Sequence, residues 1–138
     1  GMWGKKSTDK HWGQTPVLPS AWTKYTKKWV TAKSVKKGKR VIKAAGVSAT
    51  GASTVYKSTT GKADEYFLIE FRNASGYDKG LQRYLGKSFG GLAIWHVDDK
   101  LKNNKNDNHR WVDLEEAARL MPGAVKRTRM RLGAGGDS

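Results

Sequence analysis

The feature that most constrains this fold is apolar character on alternate residues of a long segment. In EYFLIEFRN, residues 65–73, Phe67 and Ile69 face one way, and Leu68 and Glu70 face the other. A period of two predicts a β-strand rather than a helix. Because both faces are partly apolar, the segment is typical of a central strand in a sheet that is covered on both sides.

Four more segments are short, rich in β-branched and aromatic residues, and bounded by Gly, Ser, Asn or Lys. They are KRVIKAAGV at 39–47, STVYKST at 53–59, GLAIWHV at 91–97 and RWVDLEE at 110–116. The short connections between them have no helical periodicity, which favours antiparallel pairing. The sequence therefore predicts a mainly β fold, as an antiparallel sheet or a small sandwich.

One N-terminal amphipathic helix is predicted in TPVLPSAWTKYTKKWV, residues 15–30. Ser20 is suited to cap it by accepting a hydrogen bond from a free backbone N–H group. Spacings of four, three and four place four residues on one side of this helix, namely Leu18, Trp22, Tyr25 and Trp29. The lysines predicted to lie elsewhere on the helical wheel are Lys24, Lys27 and Lys28. We expect the aromatic side to pack against the sheet.

The length of 138 residues suits one domain with a modest core. We divide the chain into an N-terminal loop at 1–18, a helix plus β domain at 19–117, and a basic, partly flexible tail at 118–138. No apolar stretch approaches the roughly 20 residues that span a bilayer, and no signal peptide is recognised, so no membrane partner is expected. Cysteine is absent, which excludes disulfides and thiolate metal sites.

The charge is strongly basic, with 27 Lys and Arg against 12 Asp and Glu and a net charge of +15. Such an excess attracts polyanions, so a basic β module that binds nucleic acid or another polyanion is one hypothesis. Its predicted binding residues are Lys36, Lys37, Lys39, Arg40, Lys126, Arg127, Arg129 and Arg131. A protein-interaction domain that pairs through an exposed strand edge is a further alternative.

Histidines and acids cluster around the polar loop DDKLKNNKNDNH, residues 98–109. Clustered oxygens suit calcium, and the candidate ligands are Asp98, Asp99, Asp107 and Asp113. Two imidazoles and a carboxylate would suit zinc or iron if a hairpin brought His96 and His109 together. The alternative is a hydrogen-bonded polar network formed by His96, His109 and Glu115.

No catalytic motif is present. The chain has no Gly-x-Ser-x-Gly elbow, no phosphate-binding Gly-x-x-x-x-Gly-Lys-Ser/Thr loop and no His-Glu-x-x-His helix. No catalytic residue is therefore predicted within these residues.

Three segments taken in order resemble the region that follows the zinc site in the immune inhibitor A family of secreted bacterial metallopeptidases. They are EYFLIEFRNASGYDKGL, GGLAIWHVDD and HRWVDLEEA. The upstream segment 15–30 resembles the family's helix after the Met-containing turn beneath the zinc, and the resemblance runs from about Met2 to Ala117. It departs where Lys27 and Lys28 replace Leu-Gly, and where ARLMPGAVKRTRMR replaces Asp-Gly after LEEA.

The resemblance implies a non-catalytic C-terminal portion of a zinc metallopeptidase that acts outside the cell. The helix with two zinc-binding histidines and the water-activating glutamate is expected upstream of residue 1. The chain alone is therefore expected to be inactive and to hold no zinc, and calcium is the one cofactor considered for its own residues. Its expected partners are the missing N-terminal catalytic segment and the parent's peptide or protein substrates.

The resemblance also implies structural roles. Trp22 and Trp29 are expected to pack the helix on the sheet. The residues expected to shape a turn are Gly76, Tyr77, Asp78 and Gly80. The residues expected to form either an internal hydrogen-bond network or a calcium site are His96, Asp98, His109, Asp113 and Glu115.

Overall fold

The computed structural model describes residues 4–6, 8–35, 41–47, 54–88 and 90–115 of the chain. Within these ranges the α-helices are α1 (Ala21–Thr26) and α2 (Gln82–Leu85), and 3-10 helices span Ala45–Val47 and Gly76–Leu81. The strands are β1 (Lys33–Ser34), β2 (Tyr56–Thr59), β3 (Glu65–Asn73), β4 (Gly90–Asp98) and β5 (Val112–Leu114). The described strands form one sheet in the order β1-β2-β3-β4-β5. The prediction of a mainly β fold is confirmed.

The centre of the sheet is the antiparallel pair β3 and β4, which runs in register from Glu65 opposite Asp98 to Asn73 opposite Gly90. β3 has the bounds that the alternation of apolar residues predicted. Its side chains are alternately half-buried and buried along the whole strand. β5 pairs antiparallel with β4 across the polar loop, as the hairpin interpretation required.

The prediction of purely antiparallel pairing is wrong, because β1 runs parallel to β2. The chain between these strands is long enough for the crossover that a parallel pair needs. KRVIKAAGV does not form a strand in its described part. Ala44 makes a single bridge to Phe71, and the next three residues turn into a 3-10 helix. Since the described strands form one mixed sheet, the sandwich alternative is not realised among them.

The segment around α1 departs from the predicted wheel. Ser20 caps the helix by accepting a hydrogen bond from the Thr23 N–H group at 3.2 Å. Lys24, predicted to lie away from the packed side, has no exposed surface, whereas Trp29 is 54% exposed. The predicted packing of Trp29 against the sheet is therefore wrong.

The end of α1 explains the exposure of Trp29. Lys28 adopts a left-handed conformation with φ of 58°. The N–H of Lys28 donates to the Tyr25 carbonyl at 3.0 Å, and that of Trp29 donates to the Lys24 carbonyl at 2.9 Å. This is a Schellman ending, in which a left-handed residue turns the chain away from the helix axis. Trp29 therefore does not lie on the side of the helix on which helical spacing had placed it with Trp22 and Tyr25.

The main core lies between α1 and one face of the sheet. Its buried residues are Ala21, Val30, Val55, Tyr66, Leu68 and Val97. Trp22, Tyr25 and Trp111 pack against it, and the Trp22 and Trp111 rings meet edge to face at 5.1 Å. No helix in the described part of the chain combines the length and apolar character needed to cross a bilayer.

Candidate functional site

Four charged side chains form a buried network, called here the Glu70 network, of Lys24, Glu70, Arg72 and Asp78. Glu70 and Arg72 are two residues apart on β3, so both project from its buried face. Lys24, Glu70 and Asp78 have no exposed surface, and Arg72 is 8% exposed. Two cations and two carboxylates leave the network formally neutral.

Arg72 joins two carboxylates and a loop. Its Nε donates to Asp78 Oδ2 at 2.8 Å, and one terminal nitrogen donates to Asp78 Oδ1 at 2.7 Å. The same guanidinium donates to Glu70 Oε1 at 3.0 Å, to the Leu18 carbonyl at 3.0 Å and to the Pro19 carbonyl at 3.3 Å. Burial would lower the pKa of Arg72, but the Glu70 and Asp78 carboxylates raise it above its usual range.

Glu70 accepts hydrogen bonds from α1 and from β4, as well as from Arg72 in its own strand. Lys24 Nζ donates to its Oε2 at 2.8 Å, and the Ala21 N–H donates to its Oε1 at 3.1 Å. Trp95 Nε1 in β4 lies 3.4 Å from the same Oε1. Each carboxylate oxygen of Glu70 and Asp78 therefore accepts at least one hydrogen bond. The Glu70 network is suited to crosslink the fold rather than to transfer protons or attack a substrate.

The two histidines of the predicted polar network take separate carboxylate partners. His96 Nε2 lies 2.9 Å from Glu65 Oε1, and His109 Nε2 lies 2.9 Å from Asp98 Oδ2. Asp98 Oδ1 also accepts a hydrogen bond from the Lys100 N–H at 3.0 Å. The structure therefore does not bring His96 and His109 together around a shared zinc or iron position.

The remaining predicted calcium ligands also have hydrogen-bond or ion-pair partners within the protein. Asp99 Oδ1 accepts a hydrogen bond from Trp111 Nε1 at 3.2 Å. Asp107 and Asp113 both contact the Arg110 guanidinium, at 2.7 and 3.3 Å. Among residues 4–6, 8–35, 41–47, 54–88 and 90–115, no three histidines or acids form a group able to hold a metal ion. Calcium binding by Asp98, Asp99, Asp107 and Asp113 stays a prediction.

Glu115 follows β5 at the wall of an open groove. Its N–H donates to the Ile94 carbonyl at 2.7 Å, and it is not part of either histidine pair. The groove has a volume of about 430 Å³ and lies on the sheet face opposite the main core. The residues that line it are Ser58, Phe67, Ile69, Ile94 and Glu115. This face is partly exposed, so the predicted covering of both sheet faces is not met by the described residues.

The predicted polyanion-binding residues lie outside the described part of the chain. This applies to Lys36, Lys37, Lys39 and Arg40, and to Lys126, Arg127, Arg129 and Arg131. The basic tail at 118–138 lies outside it as well. Their role stays a prediction.

Sequence reasoning missed the Glu70 network. It placed Glu70 on the face opposite Phe67 and Ile69, but assigned no partner to it. The available signal was the alternation itself, because Glu70 and Arg72 continue the face of Leu68 in a strand whose other residues are largely apolar. A charge on a buried strand face requires a countercharge, so Glu70 and Arg72 imply oppositely charged partners elsewhere in the chain.

Comparisons with protein-family models, with curated proteins and with solved structures found no significant match to this chain.

Proposed function

We propose that this chain is a non-catalytic portion of a secreted, immune inhibitor A-like zinc metallopeptidase. In that protein it acts as the structural support of a catalytic segment that lies upstream. Zinc bound by that segment would activate water for attack on a peptide carbonyl, and no step of that chemistry is assigned to the residues of this chain. As part of this proposal, α1 is an amphipathic cover of the sheet, with Trp22 and Tyr25 on its packed side.

The observation that supports the proposal is the convergence of the resembling segments on the Glu70 network. The segment TPVLPSAWTK contributes the Lys24 side chain and the backbone at Leu18 and Ala21. EYFLIEFRN contributes Glu70 and Arg72, GYDKGL contributes Asp78, and GLAIWHV contributes Trp95. The fifth segment, HRWVDLEEA, joins the helix through the Trp22–Trp111 contact. Residues on which the resemblance depends therefore have a shared physical reason to occur together in one fold.

The Leu18 backbone shows how tightly the segment before α1 is fixed. Its N–H donates to Asp78 Oδ1 at 2.9 Å, while its carbonyl accepts from Arg72. A backbone held on both sides by buried charges is suited to position whatever precedes it in the chain. Under the proposal, this is how the support portion orients the catalytic segment.

The test compares the chain alone with the chain fused to its in-frame upstream coding sequence. We expect that sequence to encode His-Glu-x-x-His within about a hundred residues. The fusion should hydrolyse a quenched fluorescent peptide when zinc is present, and the chain alone should give the background rate.

A matched control replaces the glutamate of the upstream motif with glutamine, which should abolish turnover without changing the fold. Upstream coding sequence that lacks the motif would contradict the proposal. Zinc-dependent turnover by the chain alone would contradict it as well.

A further inference from the structure

Three cationic residues and an exposed tryptophan lie in the N-terminal loop and in the neighbouring α2, and they are called here the Trp12 patch, defined as Lys5, Lys10, Trp12 and Arg83. Backbone hydrogen bonds fix the loop to the segment around α2. The Lys5 N–H donates to the Gly80 carbonyl at 3.0 Å, and the Arg83 N–H donates to the Lys5 carbonyl at 3.1 Å. The backbones of Lys5 and Arg83, which are far apart in sequence, are thereby held next to each other.

Close backbone packing strengthens this attachment. A Cβ atom added at Gly80 would lie 2.2 Å from the Thr15 carbonyl oxygen, so the loop approaches Gly80 as closely as a glycine allows. The Gly13 N–H also donates to the Gly4 carbonyl at 2.9 Å, which closes the loop on itself. The Trp12 patch is therefore held by the fold rather than carried on an unattached end.

The indole of Trp12 is presented to solvent beside a cation. Trp12 is 48% exposed. Lys5 Nζ lies 5.6 Å from the centroid of the indole ring and donates to the Lys10 carbonyl at 3.0 Å. An exposed indole with an ammonium group beside it combines stacking and cation–π contacts in one place.

The charge of the Trp12 patch is not cancelled by the acid nearest in sequence. Asp9 has a side chain that is only 3% exposed, accepts a hydrogen bond from the Lys6 N–H at 3.0 Å and lies 4.0 Å from Lys6 Nζ. Lys6 therefore offsets the charge of Asp9. Lys5 lies beside the ring, and the exposed residues Lys10 and Arg83 add two more positive charges in the segments that the backbone contacts join.

We propose that the Trp12 patch binds single-stranded nucleic acid, with a base stacked on Trp12 and phosphates placed at Lys5, Lys10 and Arg83. Stacking needs an unpaired base whose face is accessible, which a single strand offers and an intact duplex does not. Phosphates bind the cations and release counterions, which gives binding that weakens with salt. This inference is independent of the metallopeptidase proposal and uses none of the polyanion-binding residues predicted from the sequence.

The test measures binding of a fluorescent oligothymidine of about ten nucleotides to the full chain by anisotropy. Trp12→Ala should weaken binding at least about fivefold, and Trp12→Phe should retain most of it, because a base stacks on either ring. Trp29→Ala is the matched control, since Trp29 is 54% exposed and follows two lysines. It should leave the affinity unchanged.

Charge is tested with two double variants that remove the same number of lysines. Lys5→Ala with Lys10→Ala should make the slope of log affinity against log salt about 1.4 less negative, as expected when two phosphate contacts of a single strand are lost. Lys100→Ala with Lys105→Ala, in the polar loop, should change the slope far less. Circular dichroism of each variant checks that the sheet is retained.

Labelled dextran sulfate separates stacking from charge, because it is a polyanion without bases. Trp12→Ala should leave its binding unchanged. Equal loss of dextran sulfate and oligothymidine binding in Trp12→Ala would overturn the proposal, and so would equal effects of Trp12→Ala and Trp29→Ala. Absence of oligothymidine binding at about 50 mM salt would overturn it too.

Discussion

Lys24 in α1 and Glu70 in β3 form an ion pair at 2.8 Å in which neither side chain has any exposed surface. They are separated by 46 residues in the chain. The pair fixes the helix to the centre of the sheet at one defined position, since a buried charge has few acceptable partners.

Loss of Lys24 should destabilise the fold strongly. Lys24→Met keeps a long apolar stem but leaves the Glu70 carboxylate buried without its lysine. We expect the free energy of unfolding to fall by about 3 kcal/mol, measured by urea denaturation. Lys27→Met, at an exposed position in the same segment, should change it by less than about 0.5 kcal/mol. Equal losses of unfolding free energy in the two variants would show that the buried ion pair stabilises the fold no more than an exposed lysine does.

Arg72 should not tolerate lysine. The guanidinium contacts both oxygens of Asp78 and two backbone carbonyls, and an ammonium group cannot match that planar geometry. Arg72→Lys should cost about 3 kcal/mol of unfolding free energy. Arg110→Lys is the matched control, because Arg110 also bridges two carboxylates but is 40% exposed. It should cost less than about 1 kcal/mol, and a comparable loss in both would contradict this view.

Gly76 should be more sensitive to alanine than Gly61. Both have positive φ, of 56° and 89°, so alanine strains the backbone at either position. A Cβ atom at Gly76 would also lie 2.2 Å from the Gly46 carbonyl oxygen, whereas at Gly61 nothing lies within 4 Å. Gly76→Ala should therefore lower the free energy of unfolding by about 1 to 3 kcal/mol more than Gly61→Ala. Equal thermal stabilities of the two variants would argue against this close approach.

Replacing a large apolar side chain with alanine should cost more unfolding free energy on the core face of the sheet than on the groove face. Leu68 has no exposed surface, while Ile94 is half-buried and lines the open groove. Leu68→Ala should cost about 3 kcal/mol and Ile94→Ala about 1 kcal/mol, measured by denaturant unfolding of the chain alone. An equally large cost at Ile94 would mean that this face is covered in solution.

Lys62 should control the titration of Glu65. A hydrogen bond from Lys62, followed by one from His96, holds the pKa of Glu65 below its ordinary value of 4.5. The stability that Glu65 contributes is therefore present above about pH 4.5 and is lost as the pH falls through the lowered folded-state pKa. Lys62→Gln should raise the pKa of Glu65 in a carboxyl NMR titration, and Lys105→Gln should not. An unchanged pKa of Glu65 in Lys62→Gln would show that Lys62 is not what lowers it.

The local pattern of apolar residues was enough to predict the two strands at the centre of the sheet. The alternation in EYFLIEFRN gave the bounds of β3, and GLAIWHV fell within β4 with one residue to spare at each end. The β4–β5 hairpin followed from two strand-like segments around a polar loop. The candidate site could be predicted only in part. Its histidines and acids were found, but not their separation into the pairs His96–Glu65 and His109–Asp98.

The sequence by itself determined that the chain is extended in β3 and β4, because alternation of side chains between two faces is a property of neighbouring residues. Only the tertiary structure decided that Lys24 is buried, that Trp29 is exposed and that β1 runs parallel to β2. Helical spacing counts positions around an axis and takes no account of a left-handed residue such as Lys28 that ends the helix early. Helical spacing also does not reveal that the partner of Lys24 is the Glu70 carboxylate, 46 residues further along the chain. Lys24 can be buried only because the Glu70 carboxylate lies beside its ammonium group, and Glu70 is in place only after the sheet has formed.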